Sequence, residues 1–212
     1  MRIKQIKLYS ISELSEDARE SAYEEWLQSA EYFWGDENRD TLDAFERIFP
    51  VHVKDFGYGY RTGISWNMTD LDFEEVLEFT GIRLLKWIIN NYWHELFKPK
   101  YRKSIENHTI KHRRIKHETL SNGQIHSTYH SGIFYDNCCI LTGYCIDDDI
   151  LQPLYEFIKN PDERTLEDLM NDCLHAWVFA CNADYEASMT IEFFVDHAKA
   201  NDYEFTVEGK LY

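Results

Sequence analysis

One stretch, Ile82 to Phe97, constrains this chain more than any other. It carries Leu84, Leu85, Trp87, Ile88, Ile89, Tyr92, Trp93 and Leu96 at spacings suited to a helix. An apolar surface this broad has to be covered on several sides, as the central core helix or as a helix packed into an oligomer interface. The rest of the chain can supply that cover. It has 212 residues, 44% of them hydrophobic and 16% aromatic, enough for an ordinary core without disulfide or metal staples. We therefore expect residues 1–212 to form one domain.

Around that helix the patterning alternates between helix and hairpin. Lys4 to Ser10 alternates polar and apolar, as a short strand does. Ser15 followed by Glu16 and Asp17 is an N-cap signal. The helix it opens should reach about Tyr32, with Ala18, Ala22, Trp26 and Ala30 on one face. Gly35-Asp36 breaks it, Asp40-Thr41 opens a second helix, and Pro50 stops that one. Val51 to Trp66 mixes alternation with glycines and aromatics and predicts a hairpin or bulged strand pair. Asp70 to Thr80 should form a short acidic helix. Asn122-Gly123 is the strongest turn signal in the chain, and Gly132 to Ile146 looks like another strand. Asp147-Asp148-Asp149 caps a helix to about Lys159. Residues 165–187 and 188–199 should be helical, bent or broken near Asn182 to Ser188, and the tail from Asp202 should turn at Glu208-Gly209. Mixed order with hairpins predicts an α+β fold, helices packed on a small antiparallel sheet with a protruding β-hairpin.

The charge is uneven. With 38 acids against 22 bases the net charge is −16, which excludes a general nucleic-acid binder. Residues 98–116 go the other way, with Lys98, Lys100, Arg102, Lys103, Lys111, Arg113, Arg114 and Lys116 against Glu106 alone. This basic, histidine-bearing arm and its hairpin span about 98–131. The arm could join subunits of a homo-oligomer or touch nucleic acid locally. No apolar run is long enough to span a bilayer, and Met1 to Tyr9 lacks a signal-peptide core, so the expected place is a cytoplasm. The five cysteines, Cys138, Cys139, Cys145, Cys173 and Cys181, are odd in number and lack paired C-x2-C spacing, so we expect buried thiols.

Five of the nine histidines lie between 108 and 130. A two-residue loop at Asn122-Gly123 would pair Thr119 with His126, His117 with Thr128 and Ile115 with His130. His117, Thr119, His126, Thr128 and His130 would then share one face. Two chemistries could use it. His117, His126 and His130 could ligate zinc, the one cofactor we allow in a chain otherwise expected to need none. Alternatively, His117-Glu118-Thr119 and His126-Ser127-Thr128 resemble the paired H-x-T triplets of 2H phosphoesterases. That likeness implies His117 and His126 as acid and base, with Thr119 and Thr128 on the phosphate of a cyclic or linear nucleotide. A polar surface hairpin without chemistry is the simpler reading. His175, on the apolar stretch Leu169 to Phe179, is expected in the core.

Three segments resemble a diffuse group of small phage and prophage accessory proteins, often loosely labelled antitoxin-like. They are Ile11 to Arg19, Phe45 to Trp66, and the tail Ala200 to Lys210 with its Asn-x-Tyr-x-Phe-Thr run. The resemblance implies phage ancestry and an accessory role, and it carries no catalytic residues. Combined with the acidity, it leads us to expect a non-enzymatic protein that binds and inhibits a bacterial host defence complex. Such an anti-CRISPR-like factor would occupy a basic, nucleic-acid-binding surface. The carboxylates available for this are Glu13, Glu16, Asp17, Asp70, Asp72, Glu74, Glu75, Asp147, Asp148 and Asp149. The alternatives are an enzyme on the histidine hairpin, or an antitoxin-like partner that meets its toxin through Ile82 to Phe97.

Overall fold

The computed structural model describes residues 6–69, 74–101, 113–119, 125–131, 133–136 and 138–212, with side chains described outside 74 and 98–136. The fold is α+β. A two-residue strand β1 (Tyr9–Ser10) leads through a 3₁₀ turn into α1 (Glu16–Leu27), followed by α2 (Gly35–Ile48). The hairpin β2 (Val51–Gly57) and β3 (Gly63–Met68) comes next, then a 3₁₀ turn at Glu74–Glu78 and α3 (Gly81–Leu96). Four strands follow: β4 (Lys98–Tyr101), β5 (Arg113–Thr119), β6 (Ile125–Ser131) and β7 (Ile133–Asp136). The chain closes with α4 (Ile146–Lys159), α5 (Leu166–Ser188), α6 (Ile191–Ala200) and β8 (Glu204–Phe205). Among the described residues, strands pair two by two and antiparallel, β1 with β8, β2 with β3, β4 with β7 and β5 with β6.

The main core gathers α2, α3, α4, α5 and β2. Leu42, Phe45, Leu84, Ile88, Leu151, Leu154, Leu169, Met170 and Trp177 are all sealed from solvent there. The apolar stretch that opened the sequence is thus a core helix, burying Leu84, Ile88 and Leu96 and leaving Ile82 exposed. Trp177 sits in the middle of α5, its indole N–H donating to the Asn38 carbonyl at 3.1 Å. The Phe56 ring stands edge-on to it at 5.0 Å. A buried indole with its one polar atom satisfied is a strong organising residue.

A second, smaller cluster joins the two ends of the chain. Ser15 caps α1 by accepting from the Ala18 N–H at 3.3 Å, and Ala18 and Ala22 then pack under Phe194, Ala198 and Phe205. The tail turns back on itself as the sequence suggests, with Phe205 bridging Leu211 and Gly209 at φ 85°. A Cβ on Gly209 would collide with the Ala18 carbonyl oxygen. Only glycine lets the tail lie this close to α1.

Several expected boundaries shift. α1 ends at Leu27, short of Tyr32, and α2 starts at Gly35, ahead of Asp40. The strand expected across Gly132 to Ile146 is confined to β7, and residues 138–145 form turns before α4. α5 runs unbroken through Asn182 to Ser188, and the break falls at Met189–Thr190, where Thr190 caps α6. Asn182 stays helical because its side chain is engaged elsewhere. Its Oδ1 accepts from the Gly59 N–H at 2.8 Å and the Thr62 hydroxyl at 2.7 Å, fixing the β2–β3 turn. Gly59, at φ 81°, faces the Tyr185 ring so closely that a Cβ would clash.

The histidine hairpin forms, but its register differs by one residue from a two-residue loop. Ile115 pairs with Tyr129, Lys116 with Thr128, His117 with Ser127, Glu118 with His126, and Thr119 with Ile125. Cross-strand partners share a face, so a one-residue change swaps every position on one strand. His117 and Thr119 therefore lie on the face opposite His126, Thr128 and His130. The register has a simple rationale, since it gathers Ile115, Ile125 and Tyr129 on one face and Arg114, Lys116 and Glu118 with His126 and His130 on the other.

Candidate functional site

The sequence-predicted positions separate into several places. By the parity just described, His117 and Thr119 of the acid–base set lie on the face opposite His126 and Thr128, and His117 of the metal triad lies on the face opposite His126 and His130. Of the basic arm, Lys98 and Lys100 lie on β4 and Arg113, Arg114 and Lys116 on β5. Arg102, Lys103, Lys111, Asp70 and Asp72 lie outside the described residues. Glu74 and Glu75 fall in the 3₁₀ turn before α3, and Glu75 is exposed. Glu16 and Asp17 stand exposed in the first turn of α1. Glu13 closes back on Ser10, accepting from its N–H at 2.9 Å, and this bond lowers the Glu13 carboxyl below the ordinary range. His175 is exposed on α5, a correction to its expected core position.

The acidic triplet at the start of α4 divides sharply. Asp147, expected on the acidic partner surface, is 0% exposed. Its Oδ2 accepts from the N–H groups of Thr142 at 2.7 Å and Gly143 at 2.9 Å. Its Oδ1 accepts from the hydroxyls of Thr142 at 2.7 Å and Thr41 at 2.9 Å. A buried carboxylate persists only with such a set of donors. Asp147 therefore pins the 138–145 turns and α4 to α2, and it is unavailable to a partner. Asp148 and Asp149 remain on the surface.

That anchored segment forms one wall of a groove of about 390 Å³ whose lining includes Trp34, Glu37, Tyr144, Ile146, Asp149 and Asp184. Two rings present themselves to solvent, Trp34 at 53% and Tyr144 at 41% exposure. Around them stand three carboxylates from three elements, Glu37 of α2, Asp149 of α4 and Asp184 of α5. Asp184 is held in place by the Tyr32 hydroxyl, which donates to it at 2.6 Å while accepting from the Asn38 amide at 3.0 Å. Burial, and then the neighbouring Asp184, push the Tyr32 hydroxyl well above the usual tyrosine range, so it stays a donor. Burial and the charge of Asp148 raise the Asp149 carboxyl. Among the described residues, none of Glu37, Asp149 and Asp184 is in an ion pair.

The sequence reading missed Trp34, Glu37, Tyr144 and Asp184. The available signal was the aromatic run Tyr32-Phe33-Trp34 at a helix break, where such rings are hard to cover completely. The cysteines also part from expectation. Cys173 and Cys181 are buried in α5, their thiols raised by burial, whereas Cys138 and Cys145 are exposed and Cys139 is half-buried on the turn segment.

Among the described residues no helix is long and apolar enough to cross a membrane. Comparison of the chain with family models, curated proteins and solved structures finds no match.

Proposed function

We propose that this chain is a non-enzymatic interaction protein that binds a basic surface of a protein partner through the groove around Trp34 and Tyr144. The observation that carries this reading is the company of Glu37, Asp149 and Asp184. These three carboxylates line the same groove as two exposed rings and have no ion-pair partner among the described residues. An arginine entering it would stack its guanidinium on an aromatic face and donate to the carboxylates, the pairing for which that side chain is best shaped. An incoming cation would offset the burial and like-charge repulsion that now raise the Asp149 carboxyl.

Beyond the groove, the net charge of −16 supplies a long-range field that speeds encounter with a basic surface. The phage-type resemblance of the chain ends supports a nucleic-acid-handling host defence complex as the partner, with inhibition as the outcome. The register of the histidine hairpin, with His117 and His126 on opposite faces, favours this reading over an enzyme built on that pair.

The test is affinity capture from bacterial host lysate at low and high salt, comparing wild type with Trp34→Ala and with Glu37→Gln/Asp184→Asn. Wild type should enrich a nucleic-acid-handling protein, and both high salt and the groove substitutions should release it. Capture that is indifferent to the groove substitutions would overturn the proposal, as would enrichment of a toxin or of nothing.

A further inference from the structure

Outside the groove, the described residues hold a cluster of metal-ligating side chains at the head of the 138–145 segment. The Cys138 and Cys139 sulfurs are 3.6 Å apart, and the Cys139 sulfur is 4.0 Å from Asp148 Oδ2. Their ligand atoms all fall within 4.8 Å of one another. We propose that Cys138, Cys139 and Asp148 form a binding site for a thiophilic divalent cation, with zinc as the occupant their chemistry fits.

The geometry matches that ion closely. A tetrahedral zinc about 2.3 Å from each of two sulfurs holds them about 3.8 Å apart. With a carboxylate oxygen at about 2.0 Å, the sulfur–oxygen edge is about 3.5 Å, so Asp148 needs to close by about half an ångström on the Cys139 sulfur. Two soft sulfurs and one oxygen select zinc over calcium or magnesium, which take oxygen ligands.

Three further features show that the cluster is arranged. Adjacent residues on an extended chain direct their side chains to opposite sides, so neighbouring cysteines do not ordinarily converge. Here Cys139 adopts φ 46°, a left-handed conformation that non-glycine residues rarely take and that is found where structure over-determines a site. Asp148 is pre-oriented, because its Oδ1 accepts from the Cys139 N–H at 2.7 Å and its Oδ2 is the oxygen facing the sulfur. Cys138 and Asp148 also open onto a cavity of about 430 Å³ bordered by Asp149, Gln152, Glu156 and Lys159. That cavity gives an ion a path in and leaves room for water as the fourth ligand.

Binding balances simply. Two Zn–S bonds form as two S–H bonds break, the two protons pass to solvent, and no electron moves, so affinity should rise with pH. This site does not depend on the partner-binding reading, although both use the same turn segment.

The test is titration of the full-length, tag-free, reduced protein with cobalt(II), which reports thiolate ligation by its near-ultraviolet charge-transfer band and tetrahedral geometry by its visible bands. One equivalent should bind, and zinc should displace it. The Cys138→Ser/Cys139→Ser double variant should lose the band, Asp148→Asn should bind at least about tenfold more weakly, and Cys145→Ser should keep the band. Far-ultraviolet circular dichroism confirms that each variant is folded. No thiolate band in the wild type would overturn the assignment. So would a band that survives in the double variant, one indifferent to Asp148→Asn, or one lost with Cys145→Ser.

Discussion

Replacing Asp147 with asparagine isolates what its buried carboxylate contributes. The two side chains have nearly the same shape, so packing is preserved and hydrogen bonding changes. At present Oδ1 accepts two hydroxyl protons and Oδ2 accepts two backbone N–H groups. An asparagine keeps one accepting oxygen and turns a donor toward whichever pair it abandons. Hydroxyls can rotate to accept, whereas backbone N–H groups cannot, so the carboxamide oxygen should stay with Thr142 N and Gly143 N. The hydroxyls of Thr41 and Thr142 would then have to reorient toward the new amide. Hydrogen bonds to a charged group contribute about 1.5–3 kcal/mol each. Part of that loss is offset because no charge remains to be kept out of water. We expect Asp147→Asn to cost about 2–4 kcal/mol, equivalent to a fall in Tm of roughly 5–15 °C for a chain of this size. Urea unfolding followed by far-ultraviolet circular dichroism measures it, with the exposed Asp17→Asn as the charge-matched control. An Asp147→Asn variant within about 0.5 kcal/mol of wild type, the range typical of surface changes, would refute the reasoning.

The other predictions follow from local geometry. Gly209→Ala combines a left-handed φ of 85° with a collision against the Ala18 carbonyl, so it should cost at least about 2 kcal/mol and expose the C-terminal tail to protease; a tail as resistant as wild type would contradict the docking. Burial and Asp148 raise the Asp149 carboxyl, so its protonated form is the one the fold favours. The associated stability is present below the ordinary Asp range and is lost as pH rises through the raised value. Asp149→Asn should accordingly stabilise the chain at neutral pH, with the gain vanishing in acid; urea midpoints across pH would show it, and a gain that persists in acid would count against it. Asp168 behaves oppositely, because the Thr165 N–H and hydroxyl lower its carboxyl at the start of α5. Its stabilisation is present above the ordinary Asp range and lost as pH falls through the lowered value, so Asp168→Asn should flatten that acid limb.

Much of the fold was legible in local patterns. Ser15 caps α1, Pro50 follows the end of α2, the tail turns at Gly209, and the apolar stretch from Ile82 is a core helix. The misplaced boundaries share one physical cause. Thr41 resembled a helix-capping residue, yet it is buried and gives its hydroxyl to Asp147, while α2 starts earlier at Gly35. Asn182 resembled a breaker, yet its carboxamide holds the β2–β3 turn and α5 continues through it. Asp147 resembled an exposed helix-start acid, yet it is the hub of a buried network. Short polar side chains give the same local signal whether they bond their own backbone or a distant segment. Only the tertiary partner, 106 residues away for Thr41 and Asp147, separates the two cases.

The candidate groove was hidden for a different reason. Its carboxylates come from α2, α4 and α5, far apart in the chain, and each has another acid within two residues of it in the sequence. Net charge shows that the chain has many uncompensated carboxylates, but not which of them the fold brings beside an aromatic ring. The distinction matters energetically. Solvated acids such as Glu16 and Asp17 lose little by standing alone, because water screens them. Asp149 is partly desolvated and lies next to Asp148, so its charge is costly until a cation arrives. A protein seeking only solubility would place its acids where water pays that cost. Tyr32 holds Asp184 and buried Asp147 anchors the 138–145 segment, so the groove's carboxylates and rings stand on fixed elements, the condition that the proposed recognition of a cation would need.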